Sequence, residues 1–339
     1  MKKLSFLMVA LVIILAACGG DNASGTEDGE FEERTWKIGF NTVEGSVRDV
    51  AAKKFKEVVE AETDGAITVE IYPNEELGSA QEMIESVQVG ALDMQIAGAN
   101  MMANTVPEYA ALSLPFLVKD FDEAHAILDS EIGDKLKEKG QEHGLKVLSD
   151  VELGFAQITN NKQPINKPED LKGLKMRSPN DVSLIETFKT LGSSVSTMPF
   201  TEVYLALSQG VVDGQFNPLD AIYETKFHEV QDHLAMLNFT YYYSYFIMNQ
   251  STFDGMEPEL QKIVQEAANE ARDASYEFTA SKDEEMLDEM EDSFVEITEP
   301  DVAPFQEKVQ PVYTKMEDTM GAEIINDIQT FLEEYRSEQ

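Results

Sequence analysis

The sequence predicts an α/β protein made of two α/β units that share strands and are capped by long helices. Three observations carry this. The 339 residues suit about two domains and bury a sizeable core. Strand-like alternation and helix-like periodicity take turns along the chain from Trp36, and again from Leu153. Two long helical stretches, beginning near Pro258 and Pro304, close the sequence.

In the first unit, Trp36 to Phe40 reads as a strand and Asn41 to Gly45 as a loop. Val47 to Glu62 has helical periodicity through Val47, Val50, Ala51, Phe55, Val58 and Val59. Asp64-Gly65 is a turn, and Ile67 to Tyr72 alternates as a strand. Ser79 to Gly90 is a helix closed by glycine, followed by a strand at Leu92 to Ala97. Asp120 to Gly140 is mostly helical, and Lys146 to Ser149 is a strand. In the second unit, strands are expected at Leu153 to Thr159, Gly173 to Arg177, Val195 to Thr197 and Val212 to Phe216. Helices are expected at Asp181 to Leu191 and at Thr201 to Gln209, the latter stopped by Gly210, with Thr201 as its N-cap. Tyr241 to Met248 is an aromatic-rich strand. Pro258 to Phe294 is one long helix without interior glycine or proline, and a last helix covers Pro304 to Tyr335.

Charge excludes several functions. With 26 Lys+Arg against 64 Asp+Glu, the formal net charge is −38, the reverse of what a nucleic-acid binder carries. Such an excess keeps a chain soluble, and it suits a high-salt setting where self-repulsion is screened. Cys18 is the single cysteine, so neither a disulfide framework nor a cysteine metal site is expected. The four histidines, His125, His143, His228 and His233, form no metal-ligand pair at helical spacing and read as surface or structural. No metal or cofactor is expected. No nucleophile elbow, zinc motif, P-loop or calcium loop occurs, and the chain is not expected to be an enzyme.

The start MKKLSFLMVALVIILAAC has two lysines, an apolar run and small residues before the cysteine, the layout of a signal peptide. Leu15-Ala16-Ala17-Cys18 resembles a bacterial lipobox, which implies removal of residues 1–17 and lipid attachment to Cys18. Several acyl chains on one residue give stable membrane anchoring. Residues 18–35 are small, polar and acidic, and read as a tether.

Three stretches then stand out: ELGSAQEMIESVQVGALDM (76–94), PINKPEDLKGLKMRSPN (164–180) and MPFTEVYLALSQGVVDGQFNP (198–218). In this order they resemble the signature stretches of the extracytoplasmic solute receptors of TRAP transporters, the tripartite ATP-independent periplasmic systems. The resemblance runs from about Trp36 to the C-terminus. It implies a two-lobed, type II-like periplasmic-binding-protein fold. Residues 36–152 would form one lobe, to which 243–283 return; 153–242 would form the other, and 258–339 the spanning helices. It also implies hinge closure on a small solute and delivery to integral-membrane permease subunits of a cation-driven importer.

Arg177 is the leading site residue. Open α/β sheets bind ligands beyond the carboxyl ends of their strands, and Arg177 stands at such an end, before Ser178-Pro179. Its guanidinium fork matches a carboxylate bidentately and stays charged when desolvated. Asn217, held extended by Pro218, offers a donor and an acceptor, and the resemblance places it on the solute. The resemblance also implies an aromatic wall at Phe200 and a pocket position at Asn41. Phe216 is a wall or core residue.

Two departures bear on the solute. Receptors of this type carry a second arginine before a TNNKxPI stretch; here Ala156 takes that place, with Gln157 beside it as a candidate contact. Glu44, in the loop after Asn41, is placed to face a cationic group. One arginine and one glutamate suit a zwitterion of the ectoine type better than a dicarboxylate. An ABC-type solute-binding lipoprotein is the main alternative, and a secreted hydrolase or a calcium-binding surface protein is more remote.

Overall fold

A computed structural model describes residues 31–339 of the chain. The signal segment, Cys18 and most of the tether lie outside the described residues.

The first lobe begins with β1 (Arg34–Gly39), α1 (Val47–Glu62), β2 (Ile67–Tyr72), α2 (Ala80–Gln88), β3 (Met94–Gly98) and a single turn, α3 (Ala99–Met102). A 3₁₀ segment at Pro107–Ser113 leads to α4 (Phe121–Leu128), α5 (Glu131–Lys139) and β4 (Leu145–Phe155). The second lobe contains β5 (Gln157–Asn160), β6 (Lys175–Ser178), α6 (Val182–Thr190), β7 (Ser194–Thr197), α7 (Val203–Ser208), β8 (Gly214–Asn217), α8 (Leu219–Glu224) and β9 (His233–Ala235). The chain returns to the first lobe through β10 (Tyr241–Asn249) and α9 (Gln250–Asp254), then runs through α10 (Pro258–Met290), β11 (Glu296–Thr298), α11 (Ala303–Met320) and α12 (Ala322–Glu338).

Each lobe has its own sheet. The first has order β2-β1-β3-β10-β4, the second β11-β9-β5-β8-β6-β7. The parallel set β2-β1-β3 arises from β-α-β crossovers. To it are added two antiparallel strands, β10 and β4, that carry the chain between lobes. All nine residues of β10 are buried, which explains its aromatic run: a central strand needs apolar bulk on both faces.

Helix α1 forms because apolar positions recur on one face. Ala51, Ala52, Phe55 and Val59 are all buried, packing with the strands and with Ala267, Ala268 and Ala271 of α10. Phe55 meets Phe246 of β10 with ring centroids 4.7 Å apart. Fully burying such a ring contributes about 1.5–3 kcal/mol. Ser79 caps α2 through a reciprocal bond with Glu82, so this helix starts in the lining of the cleft.

Helix α10, 33 residues long, couples the lobes. Its first half packs on α1 and β4. Its far end, Met290, joins Leu219, Phe227 and Leu234 in the second lobe's core. The sequence expectation of a single helix from Pro304 to Tyr335 is corrected: Gly321, at φ 89°, breaks it into α11 and α12. Pro311 does not end α11. The expected helix at Asp120 to Gly140 is likewise two helices, because Ser130 caps α5 and restarts the turn. Strand β4 joins the expected Lys146–Ser149 strand to the start of the expected Leu153–Thr159 strand and runs to Phe155; the remainder of the latter is β5, in the other sheet.

Candidate functional site

A cavity of about 300 Å³ lies between the lobes, within the range of small-molecule sites (~300–1,000 Å³). The first lobe contributes the loop after β1, the start of α1, the segment entering α2 and the end of β3. The second contributes residues just beyond the carboxyl ends of β6, β7 and β8. The site therefore sits where strand order and physics place it in an α/β sheet.

Arg177 lines this cavity and is 4% exposed. One terminal nitrogen donates to the Met198 carbonyl at 2.9 Å, while Nε is buried without a partner. The guanidinium carbon lies 5.9 Å from the Phe200 ring centroid, a cation–π contact. Burial lowers the Arg177 pKa to about 10, against the raising influence of Tyr242 and Glu75. The group therefore stays charged at neutral pH. Its hydrogen bond goes to a carbonyl, not to a carboxylate that would neutralise the buried charge.

Asn217, Phe200 and Asn41 line the same cavity. Asn217 spends one amide hydrogen on Gln215, which donates to Thr159, which in turn donates to Gln231. This chain fixes the amide's orientation. Phe200 packs edge-on against Phe227, centroids 5.8 Å apart.

Two expected residues lie elsewhere. Glu44 is an exposed loop acid, 3.2 Å from Lys53, and does not line the cavity. The loop after β1 turns it outward, while Asp49, buried on α1, bonds Gly45 and also pairs with Lys53. Gln157 is buried inside β5, where its amide bonds the Phe155 carbonyl, Asn238 and the Leu237 and Asn238 backbone N–H groups. It staples the interlobe crossing and faces no ligand space. Phe216 is core, stacked on Phe188 at 4.6 Å. Thr201 is not an N-cap: its hydroxyl crosses the cleft to Glu75 at 2.8 Å. His125 bonds Glu152 and stacks on Tyr276, a packing role.

Residues not expected from the sequence complete the lining: Arg48, Glu75, Gln95, Asp220 and Tyr242. Arg48 is 7% exposed and donates from Nε to Ser244 at 2.9 Å. Burial holds its pKa down at about 10. Asp220 accepts a 3.4 Å bond from the Val47 N–H with one oxygen, and its other oxygen has no partner. Burial pushes its pKa up to about 7. Glu75 sits at φ 59°, beside Asn74 at 55°, two consecutive left-handed non-glycine residues. Such strain costs about 1–3 kcal/mol each. It is held by bonds from the Asn74 and Glu75 N–H groups to the Thr42 and Phe40 carbonyls.

Among the described residues, no group of three or more His, Cys, Asp and Glu side chains is placed to hold a metal, and no helix is long and apolar enough to cross a membrane.

The profile described as bacterial extracellular solute-binding protein, family 7, matches residues 39–319. The 2,3-diketo-L-gulonate-binding periplasmic protein of Escherichia coli (strain K12) is 35% identical over 261 residues, 77% of this chain and 80% of that one. The C4-dicarboxylate-binding periplasmic protein of Rhodobacter capsulatus is 33% identical over 279 residues, 81% and 84% of the two chains. Among solved structures, a TRAP periplasmic solute binding protein from Polaromonas sp. JS666, bound to D-erythronate, superposes with a TM-score of 0.84 at 32% identity, covering 88% of this chain and 98% of that one.

Proposed function

Because the chain belongs to the DctP family of bacterial extracellular solute-binding proteins, family 7, whose solved relatives are TRAP solute receptors, we propose that Arg177 captures the carboxylate of a small solute between two closing lobes. The observation that carries this reading is the buried, charged Arg177 in the interlobe cavity, with Nε unpartnered. The relatives' carboxylate solutes support it. The ABC-type alternative is not favoured by the family match. The relatives are named as solute-binding proteins, and on that ground we read the chain as a receptor, not an enzyme.

Closure desolvates the guanidinium–carboxylate pair. Asn217 and Asn41 add oriented polar contacts, and Phe200 supplies an apolar wall. The loaded form would dock on integral-membrane permease subunits. Lipid on Cys18 would hold the receptor at the outer face of the cell membrane; Arg34 and Thr35, expected in the tether, already belong to β1.

Removing one partner of a buried charge pair costs about 2–5 kcal/mol, on the order of thirty- to several-thousand-fold in affinity. Calorimetry with a panel of small organic acids should show tight binding by the wild type and loss of at least thirty-fold in Arg177→Ala, with unchanged circular dichroism. Equal affinity in the two proteins would refute the role.

A further inference from the structure

Helix α8 of the second lobe lays two acids against the start of α1 in the first. Asp220 and Glu224 stand four residues apart, on one face of α8. Asp220 accepts the Val47 N–H, the first of α1, at 3.4 Å. Glu224 lies over Gly45: a Cβ built there would meet its carboxylate at 3.2–3.6 Å. Ser46, the N-cap of α1, makes no side-chain cap bond, so this helix end is met by carboxylates of the opposite lobe. More acids crowd the corner. Asp49, buried on α1, accepts the Gly45 N–H and acts on Glu224. Asp283 of α10 sits at the interlobe crossing: a Cβ at Gly154 would meet its carboxylate at 3.6 Å and Pro218, the N-cap of α8, at 3.7 Å. Glu152 of β4 acts on Asp283 in turn.

The cations nearby are otherwise engaged. Arg48 acts on Asp220, but its Nε donates to Ser244. Lys53 pairs with Asp49 and Glu44 at the surface, Lys282 with Glu285 and Lys226 with Glu229. His228 stacks on Tyr223. From β10 comes only Tyr242, a buried phenol held neutral and without a hydrogen-bond partner. Asp220 itself keeps Oδ1 buried and unpartnered, which penalises the ionised form more than the neutral acid. Parting the lobes would return both α8 acids to water, where they ionise near pH ~4. Shutting the lobes strips that water and brings Glu224 to Asp49. A carboxylate solute adds one more negative charge to the cavity that Asp220 lines. Each change disfavours the charged acid. Burial accordingly pushes Asp220 up to about 7, and burial and Asp49 raise Glu224. We propose that the lobes close by taking up a proton, shared by the Asp220–Glu224 pair where α8 meets α1, so that acidic surroundings tighten the hold on the solute and alkaline ones loosen it. This deepens the closing-receptor reading and rests on it. The closed form holds a proton that the open form has released. Affinity therefore rises by up to about ten-fold per pH unit as pH falls from the closed titration toward the open one, and levels off on the alkaline side.

Calorimetry in two buffers of different ionisation heat counts the protons directly. The probe is whichever of succinate, D-erythronate and D-galactonate binds most tightly. At pH 6 the wild type should take up about one proton per solute bound, and almost none at pH 8.5. Glu224→Gln, outside the cavity lining, should lower the count without touching the solute. Asp220→Asn combined with Glu224→Gln should abolish it and leave an affinity that no longer changes with pH. A wild-type uptake below about half a proton at pH 6, or an undiminished uptake in the double variant, overturns the proposal and leaves the Arg177 reading standing. If none of the three acids binds, the carboxylate reading falls, and the solute-free protein decides this one. Spin labels at Glu57→Cys on the first lobe and Leu205→Cys on the second, both exposed positions, in a chain carrying Cys18→Ser, should draw together between pH 8.5 and 6, and should not do so in the double variant. A wild-type label distance indifferent to pH overturns the proposal.

Discussion

Arg177 and Arg48 differ in how openly the sequence displays them. Arg177 is the penultimate residue of its strand, two positions before Pro179, and lies inside a recognisable stretch, so its place in the cleft was legible. Arg48 was hidden by its helix. Its signal was nonetheless present: positions 48, 52, 55 and 59 share one helical face, and three of the four are apolar and buried. A charged residue in phase with a buried stripe either pairs in the core or faces a cavity, and periodicity alone does not separate these. Glu44 shows the converse. Nearness in sequence to Asn41 suggested a site acid, but a loop can turn consecutive side chains apart, and the acids that line the cavity, Glu75 and Asp220, come from the segment before α2 and from α8.

The buried carboxyls have a measurable signature. Burial raises Asp220 to about 7, Asp283 to about 7 and Asp181 to about 6, against ~3.9 for an unfolded aspartate. The folded protein therefore holds protons that the unfolded chain has released. Stability from these groups is fully present below pH ~4 and is lost as pH rises through the folded values. His228, whose pKa is lowered by burial, acts in the opposite sense, so the variant comparison isolates the carboxyl. The solute-free protein should melt at progressively lower temperature from pH 5 to 8, and Asp220→Asn should flatten that slope. A slope identical in wild type and variant, followed by differential scanning calorimetry, would remove Asp220 from the account.

At the scale of elements, the strands β4 and β10 with helix α10 connect the lobes, and the proposed closure would bend them. Gly154, at φ 95°, sits next to the crossing, near Thr279 of α10 and Pro218. An added Cβ there would meet those neighbours at ordinary contact distances of 3.5–3.7 Å, so the penalty for alanine is conformational. A left-handed backbone costs a non-glycine residue about 1–2 kcal/mol. Gly154→Ala should lower the unfolding free energy by that amount in urea titration; a neutral or stabilised variant would show that the backbone relaxes freely at this point. Long periodic elements such as α1, α10 and the β2-β1-β3 set were readable in advance. The short strands β9 and β11, three residues each, were not, because their pairing is set by partners distant in sequence and not by local pattern. The break at Gly321 was passed over because apolar spacing continues on both sides of it.

Across the whole molecule, a chain of net charge −38 is a poor long-range attractor of anions. Capture must then come from short-range contacts in a desolvated cleft, where each unscreened charge counts for more. The lobes touch around the cavity through a few polar bonds, Thr201 to Glu75 and Val47 to Asp220 among them, which leaves the solute to supply the rest of the closing force. The most direct measurement of this is a calorimetric comparison of one solute in two forms: the tightest-binding acid and its uncharged carboxamide, both titrated into the wild-type protein. The acid should bind at least 30-fold more tightly, with the gap closing in Arg177→Ala; equal affinities for acid and amide in the wild type would contradict a guanidinium kept buried for an anionic guest.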